Sequence, residues 1–200
     1  EDKNIINNLT YQFKKDNLYL IKGNNGAGKS TFINILIGII QKGVKGDICY
    51  NGINMKNINM YNIRKKLISI IPQDIQFPNE RLINTFSEDN EKPDLEKMKN
   101  IITKNKMESI YNGTAFDILQ NMDKKCIDLS GGEKQKTILL KSLLKEPEVL
   151  VLDEPTTAMD NTSIDRFIDS LNIIKQNRIV IIVPHDNRLD KISDGTISLE

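Results

Sequence analysis

A glycine-rich loop between two apolar stretches constrains the fold of this chain more than any other feature of its sequence. Residues 18–22 form a short apolar run that ends at Gly23, and residues 29–40 form an apolar stretch that is long enough for a helix. The sequence therefore predicts a strand, a glycine loop and a helix in direct succession. Such a unit is typical of α/β folds that are built on a parallel sheet.

The loop, residues 23–30, reads Gly-Asn-Asn-Gly-Ala-Gly-Lys-Ser and fits the pattern of a glycine, four residues and then Gly-Lys-Ser. Glycines let the backbone curve around an anion with its N–H groups pointing inward, and the following helix adds the positive end of its dipole. We expect Lys29 to reach the β and γ phosphates of a nucleotide, and the Ser30 hydroxyl to bind Mg²⁺. A glycine turn with a solvated lysine is the alternative, but the flanking strand and helix favour a phosphate site.

Two acids end a second apolar run, residues 148–154, which reads Glu-Val-Leu-Val-Leu-Asp-Glu. An acid at the end of such a strand lies at the carboxyl edge of a parallel sheet, where the ligands of these sheets bind. We expect Asp153 to hold Mg²⁺ and the adjacent Glu154 to polarise the water that attacks the γ phosphate. A solvated strand end that carries two carboxylates is the alternative.

Other segments complete the prediction of the fold. Residues 149–152 and 179–183 are continuous apolar runs, as expected for strands covered on both faces, with apolar residues at helical spacing between them. Residues 78–128 are polar and permit helices, which predicts a helical subdomain. Alternation at residues 9–13, and residues 47–50 before an Asn-Gly pair, predict antiparallel strands. The predicted fold class is α/β, with a mostly parallel sheet, flanking antiparallel strands and an inserted helical subdomain.

Charge and composition exclude several classes of function. The 200 residues include 28 basic and 27 acidic side chains, so the net charge is +1 and no global field attracts nucleic acid. No apolar stretch approaches the ~20 residues that a membrane helix needs. The two cysteines, Cys49 and Cys126, lack metal-ligand spacing, and we expect them to be reduced thiols. Nucleic acid is therefore not among the predicted partners.

Together these motifs resemble the ATPase domains of the ATP-binding-cassette (ABC) proteins. The decisive match is Leu-Ser-Gly-Gly-Glu at residues 129–133, which resembles the family signature and precedes a helical run at residues 134–145. Alone, Ser130 would be an ordinary helix N-cap, Gln73 a loop amide and His185 an unremarkable histidine after a strand. Six elements nevertheless occur in the family order over nearly the whole chain, namely residues 23–30, Gln73, residues 129–133, Asp153 with Glu154, Asp160 and His185.

The resemblance implies a Mg²⁺-dependent ATPase and assigns roles to particular residues. Glu154, His185 and Gln73 are the implied catalytic residues, and Ser30, Gln73 and Asp153 the implied metal ligands. The implied nucleotide-binding residues are Asn24, Asn25, Gly26, Ala27, Gly28, Lys29, Ser30, Thr31, Ser130, Gly131, Gly132 and Asp160. Residues 1–200 would form one such domain, with a helical subdomain at about residues 78–135 inserted in its core.

The resemblance also implies partners and a location. Two copies, or one copy and a paralogous ATPase domain, would pair head to tail, so that the Ser130 turn of one closes on the γ phosphate held by Lys29 of the other. A transmembrane domain, encoded separately or fused upstream, would hold the ATPase at the cytoplasmic face of the membrane. A soluble ATPase of the same family, or a module that senses ATP without hydrolysing it, is the alternative function.

The sequence departs from the family pattern at three places. The signature ends in Glu133 where glutamine is commoner, and Pro184 precedes the histidine where a small hydroxyl residue is usual; neither change removes a phosphate-contacting group. The aromatic residue that stacks on adenine in the family has no clear counterpart, because Tyr11 and Phe13 are expected to be strand residues that pack in the core. The resemblance therefore predicts an N-terminal truncation relative to the family, or weak stacking of adenine.

Overall fold

The central element of the fold is a parallel five-stranded sheet. The computed structural model describes residues 6–87, 92–107, 116–157 and 159–199. The strands lie in the order β4-β5-β6-β1-β7, and all the neighbouring pairs are parallel. Their bounds are β1 Leu18–Gly23, β4 Ile68–Ile71, β5 Val149–Asp153, β6 Ile179–Val183 and β7 Gly195–Leu199. Two short strands, β2 Cys49–Tyr50 and β3 Ile53–Asn54, form a separate antiparallel pair.

Helices connect the strands and cover the sheet. The α-helices of the described residues are α1 Lys29–Leu36, α2 Met60–Leu67, α3 Leu82–Phe86, α4 Leu95–Lys104, α5 Phe116–Gln120, α6 Gly131–Leu144 and α7 Asn161–Ile174. Three short 3₁₀ helices span Met55–Asn57, Cys126–Asp128 and Asn187–Ile192. No helix of the chain, so far as the structure describes it, is both long enough and apolar enough to cross a membrane.

The middle of the sheet is buried on both faces, and strands β5 and β6 there are almost continuously apolar. Along β5, Leu150 and Leu152 belong to a core cluster that includes residues of α4, α6 and α7. Val151, between them, points to the opposite face and joins a second cluster with Phe32 and Ile33 of α1. Continuous apolar runs are the expected signature of such two-sided burial. The predicted α/β fold, with a mostly parallel sheet and a separate antiparallel pair, is confirmed.

The helix predicted at residues 29–40 ends earlier, at Leu36. Gly38 has φ +70°, a left-handed conformation that stops the helix. A Cβ at this position would lie 2.9 Å from Cγ of Met60, so α2 packs directly against the end of α1. The glycine thus sets both the end of α1 and the close approach of α2.

The strand predicted at residues 9–13 is wrong, since the described backbone there has no regular structure. Tyr11, Phe13 and Tyr19 instead form an aromatic cluster with ring centroids 5.0 to 5.7 Å apart. Tyr11 is also exposed rather than buried, while Phe13 is half-buried against the second core cluster. A side chain at Gly195 would collide with the Tyr11 hydroxyl and the Tyr19 ring. Ring packing over the start of β7 replaces strand pairing here.

Candidate functional site

Four adjacent parallel strands deliver the predicted site residues to one edge of the sheet. Strand β1 leads into the glycine loop, residues 23–30, which we call the phosphate loop. Gln73 follows β4 by two residues, Asp153 ends β5 with Glu154 next in sequence, and His185 follows β6 by two residues. The carboxyl edge of a parallel α/β sheet is its usual place for a ligand.

The phosphate loop has the backbone conformation that only glycine adopts easily. Gly26 and Gly28 have φ values of +84° and +88°. Gly28 is the N-cap of α1 and no side chain caps this helix, whose Phe32 N–H donates back to the Gly28 carbonyl at 2.8 Å. The first N–H groups of α1 therefore receive no side-chain cap, and the positive end of the helix is available to an anion.

Lys29 closes the phosphate loop on itself. Its Nζ donates to the carbonyl oxygens of Gly23 at 2.9 Å and Asn24 at 3.1 Å. The same Asn24 carbonyl accepts a hydrogen bond from the Ala27 N–H at 3.0 Å. The ammonium group is thus held over the loop, where it would meet the negative charge of a bound phosphate.

The other predicted residues of this loop lie around it. Asn24, Asn25 and Gly26 are exposed, and Ala27 is half-buried. Ser30 and Thr31 lie in the first turn of α1, with Ser30 exposed and Thr31 half-buried. Exposure of this surface leaves it open to a ligand.

Asp153 is a half-buried acid whose surroundings oppose its charge. Burial raises the pKa of the Asp153 carboxyl above its usual value, and the neighbouring Glu154 carboxylate raises it further. The Lys29 ammonium acts in the opposite direction. A cation beside Asp153 would offset the cost of burying its charge, so this carboxylate is suited to bind a metal ion.

Glu154 has a strained backbone and a defined hydrogen-bond partner. Its φ is +48°, an uncommon value for a residue with a side chain, and its N–H donates to the Val183 carbonyl of β6 at 3.0 Å. Nε2 of Gln73 donates to Oε2 of Glu154 at 2.7 Å. The structure therefore brings together two of the residues predicted to be catalytic, although they are separated by 81 positions in the sequence.

His185 is exposed in the loop after β6, and the next residue, Asp186, forms an ion pair with Arg188. Hydrogen bonds from the Arg188 side chain and backbone lower the pKa of the Asp186 carboxyl, and the nearby His185 contributes less. Nη2 of Arg188 lies 2.6 Å from Oδ2 of Asp186. The Asp186–Arg188 pair thus holds the loop in place immediately after His185.

The signature turn, residues 129–133, begins α6 with a capping box. Ser130 Oγ accepts from the Glu133 N–H at 3.3 Å, and Glu133 Oε2 accepts from the Ser130 N–H at 2.8 Å. Burial opposes ionisation of Glu133, but the hydrogen bonds from Ser130 and Lys124 lower its pKa overall. Ser130 and Gly131 are exposed, and no described atom lies within 4 Å of a Cβ built on Gly132. The turn therefore presents an open surface.

Asp160 caps a different helix. Its side chain accepts from the Ser163 N–H at 2.7 Å at the start of α7, and hydrogen bonds from the backbone and side chain of Ser163 lower the pKa of this carboxyl. Asp160 itself is exposed. Of the predicted residues, those that follow β1, β4, β5 and β6 share one edge, whereas no hydrogen bond or ion pair of the described residues joins the signature turn to the phosphate loop.

Comparison with known proteins identifies the family. The profile of the family described as ABC transporter matches residues 6–157, which is more than half of the chain. The chain belongs to the ABC transporter family. Membership implies ATP binding and hydrolysis in general, and the resemblance drawn from the sequence motifs is confirmed.

Individual relatives support the same assignment of this ABC domain. It is 32% identical over 197 residues to the phosphate import ATP-binding protein PstB 1 of Lactobacillus johnsonii, covering 94% of this chain and 73% of that protein. It is 26% identical to heavy metal tolerance factor 1 of Caenorhabditis elegans, covering 98% of this chain and 24% of that protein. A solved structure of a bacterial Atm1-family ABC exporter with ATP bound shares the fold, with a TM-score of 0.80, 21% identity and coverage of 100% and 35%.

One residue of the ABC domain that the sequence analysis missed is Arg188. Its guanidinium donates to Asp186, to the carbonyl and side-chain oxygens of Asn161, and to Asp165 Oδ1, at 2.6 to 3.3 Å. It therefore ties the loop that carries His185 to the first turns of α7, the helix capped by Asp160. An arginine three positions after the histidine is the only sequence signal, and it does not reveal these partners.

Proposed function

We propose that this ABC domain binds ATP with Mg²⁺ and hydrolyses it to ADP and phosphate. The carrying observation is the convergence of the phosphate loop, Gln73, Asp153, Glu154 and His185 at one edge of the sheet. The loop N–H groups and Lys29 would neutralise the phosphates, with Asn24 to Thr31 around them. Most of the rate enhancement in such a site comes from positioning and charge stabilisation.

The donor set at this edge fits Mg²⁺. Ser30 would supply a hydroxyl oxygen, Asp153 a carboxylate and Gln73 an amide oxygen, and these are the hard oxygen ligands that Mg²⁺ takes beside the phosphates of a nucleotide. The raised pKa of Asp153 supports this assignment, because a cation would offset the cost of its buried charge. When bound, Mg²⁺ would neutralise charge that develops on the phosphate oxygens.

Glu154 is the proposed general base for the attacking water. Its hydrogen bond from Gln73 uses one carboxylate oxygen and holds the side chain in one orientation, which leaves the other oxygen to accept a proton from water. The bond from its N–H to Val183 fixes its backbone to the strand before His185. His185 would then contact the γ phosphate from the neighbouring strand end.

We propose that hydrolysis requires a head-to-tail pair with a second copy or a paralogous ATPase domain. The exposed Ser130 and Gly131, with the half-buried Gly132, would close on the γ phosphate held by the partner, and Asp160 would lie at the shared surface. The space around Gly132 supports this, because no contact among the described residues accounts for glycine in a helical turn, where glycine costs about 1 kcal/mol.

The proposed physiological role is to drive substrate translocation by a transmembrane domain at the cytoplasmic face of the membrane. The relatives named for phosphate import and the exporter of the same fold support this role. Residues 1–200 would form one ATPase domain, in which a helical subdomain at about residues 78–135 is inserted. A soluble ATPase of the same family, or an ATP sensor, is the alternative function, and the following test separates ATP hydrolysis from ATP sensing.

The test measures phosphate release, ATP binding and oligomeric state for the wild type and Glu154→Gln. We expect the variant to bind ATP, to lose turnover and to shift from monomer to dimer with ATP and Mg²⁺ on gel filtration. Glu96→Gln, on the exposed face of α4, is the matched control and should behave as the wild type. Equal, very slow hydrolysis by both proteins with intact binding would favour an ATP sensor, and the absence of any dimer would contradict the head-to-tail arrangement.

A further inference from the structure

A groove of about 250 Å³ lies at the outer edge of β4, on the side of the sheet away from β5. Its lining includes Arg64, Ser69, Ile70, Lys141, Ser142 and Lys145. Ser69 Oγ donates to the Ser142 carbonyl at 3.2 Å, so α6 forms one wall. Arg64 comes from α2, and its Nη1 donates to the carbonyl oxygens of Ile37 and Gly38 after α1. The groove is therefore bounded by helices that cover opposite faces of the sheet.

The strand at this edge is only four residues long, but it lacks two other features that protect edge strands, a charged side chain and a proline. Strand β4 reads Ile-Ser-Ile-Ile, with no charge and no proline, and Ile70 is 38% exposed. In the chain as described, β4 pairs with β5 alone, so its other side has no strand to receive its backbone N–H and C=O groups. Such an edge is a template for the addition of another strand.

The charges around the edge all have one sign. Arg64, Lys141 and Lys145 line the groove, and no carboxylate of the described residues does, although the chain as a whole carries a net charge of only +1. Lys145 is the C-cap of α6, four positions after Lys141, so the two lysines lie on the same face at the end of this helix. Neither forms an ion pair with any carboxylate in the described part of the chain. The groove thus offers two ammonium groups beside an open strand.

The size of the groove decides which kind of occupant fits. Pockets for cofactors and drug-sized molecules measure roughly 300 to 1,000 Å³, so this one is small for a complete ligand of that type. It suits a few side chains of an extended peptide whose backbone pairs with β4. We propose that this groove binds an extended acidic segment of a partner polypeptide, which adds as a strand to β4 and pairs its carboxylates with Lys141 and Lys145.

The location of the groove is separate from the nucleotide site. Its lining residues belong to α2, β4 and α6, and none belongs to the phosphate loop. The proposal therefore does not rest on ATP hydrolysis. A segment bound here would nevertheless touch β4, which leads to Gln73, and α6, which begins at the signature turn.

The test uses fluorescence anisotropy with a labelled ten-residue peptide of alternating valine and glutamate, in saturating Mg²⁺ and ADP so that the phosphate loop is filled. We expect saturable binding to the full chain. The double variant Lys141→Glu/Lys145→Glu should bind at least tenfold more weakly, because two attractive charge pairs become repulsive. Lys65→Glu/Lys66→Glu changes two exposed lysines of α2 outside the groove by the same charge and should retain binding within about twofold.

A second peptide separates strand addition from simple charge attraction. N-methylation of every residue keeps every carboxylate but removes the backbone donors on both edges of the peptide, and it should weaken binding at least tenfold. Equal binding of both peptides, full displacement by inorganic phosphate, or unchanged binding to the Lys141→Glu/Lys145→Glu variant would each overturn the proposal. No binding, or a dimer of this chain that buries the same edge, would overturn it as well.

Discussion

The phosphate loop and the signature turn both place glycines at the start of a helix, yet they use them differently. In the phosphate loop, φ values of +84° at Gly26 and +88° at Gly28 demand glycine, and α1 begins without a side-chain cap. In the signature turn, Gly132 lies in open space, and Ser130 and Glu133 cap the first turn of α6. The backbone conformation explains Gly26 and Gly28, whereas no contact of the described residues explains Gly132.

The difference in helix capping indicates which turn can hold a triphosphate by itself. The positive end of α1 is open to an anion, but the positive end of α6 already has the Glu133 carboxylate within hydrogen-bonding distance of its cap. A second negative group near α6 therefore gains less from the helix. The signature turn instead offers a serine hydroxyl and a bare backbone surface, which suits closure on a phosphate that another molecule already holds.

The sharpest test of this comparison removes one polar group from each turn. Lys29→Ala should weaken ATP binding on the order of 100-fold, because it removes a charge-assisted contact to the phosphates. Ser130→Ala should leave ATP binding by the monomer within about twofold and abolish most turnover. Isothermal titration and phosphate release, each with a thermal melt to verify folding, measure the two effects. A large loss of monomer affinity in Ser130→Ala would contradict the division of labour between the turns.

A smaller effect is expected where Arg188 ties the His185 loop to α7. Arg188→Ala removes the contacts that tie the His185 loop to Asn161 and Asp165, so His185 would lose its fixed position. We expect turnover to fall about tenfold, with ATP affinity unchanged, because catalysis is more sensitive to position than binding is. Steady-state kinetics measure the split between kcat and KM.

Lys99→Ala provides the comparison for Arg188→Ala, since it removes an exposed cation that pairs with a carboxylate, Glu96, on α4. It should change kcat less than twofold. If both variants lose activity in proportion to their loss of thermal stability, Arg188 has only a structural role.

Variants of the Lys124–Glu133 pair test whether the Glu133 carboxylate of the signature turn weakens dimerisation. Nζ of Lys124 lies 3.1 Å from both carboxylate oxygens. Lys124→Ala would leave this charge uncompensated near the partner's triphosphate, and we expect ATP-dependent dimerisation to weaken about fivefold in a Glu154→Gln background. Adding Glu133→Gln should restore it. Sedimentation over a range of protein concentrations measures both, and a failure of the rescue would show that the charge of Glu133 is not the cause.

Patterns within one segment of the sequence predicted much of this molecule. Strands β1, β5 and β6 and the residues that follow them were predicted because apolar runs and motif spacing are local signals. Strand β7 was not predicted, although Ile197 and Leu199 alternate with polar residues in the pattern of a half-buried strand. Because β7 was missed, the sequence did not reveal why residue 23 must be glycine. A Cβ at Gly23 would lie 2.5 Å from the carbonyl oxygen of Leu199 in β7.

Contacts between distant segments had no such local signal. The bond from Gln73 to Glu154 and the contacts of Arg188 depend on strand order, which brings β4 beside β5 and the end of β6 beside α7. The wrong strand at residues 9–13 has the same origin. Its alternation was real, but Tyr11 and Phe13 pack against Tyr19 over Gly195 instead of pairing with a strand.

The smallest effect belongs to Asp153, whose charge serves binding at the expense of the unliganded fold. Because burial raises its pKa in the folded state, the folded protein binds this proton more tightly than the unfolded chain does. Stabilisation of the fold by the Asp153 proton is thus present below the pKa of this carboxyl in the unfolded chain, about 4. It is lost as the pH rises through the higher pKa of the folded state. Asp153→Asn removes the cost of the charge at pH 7, and we expect Tm without nucleotide to rise by about 1 to 3 °C.

Addition of ATP and Mg²⁺ should reverse the order of the two proteins. The wild type gains stability from the bound nucleotide and cation, whereas Asp153→Asn lacks the carboxylate and gains much less. Differential scanning fluorimetry at pH 7 and near pH 4, with and without ligand, follows both changes, and Asp169→Asn on the exposed side of α7 accounts for the loss of a negative charge. A variant that is less stable than the wild type without ligand would mean that the Lys29 ammonium outweighs burial, and that the phosphate loop already balances the charge of Asp153 before any nucleotide binds.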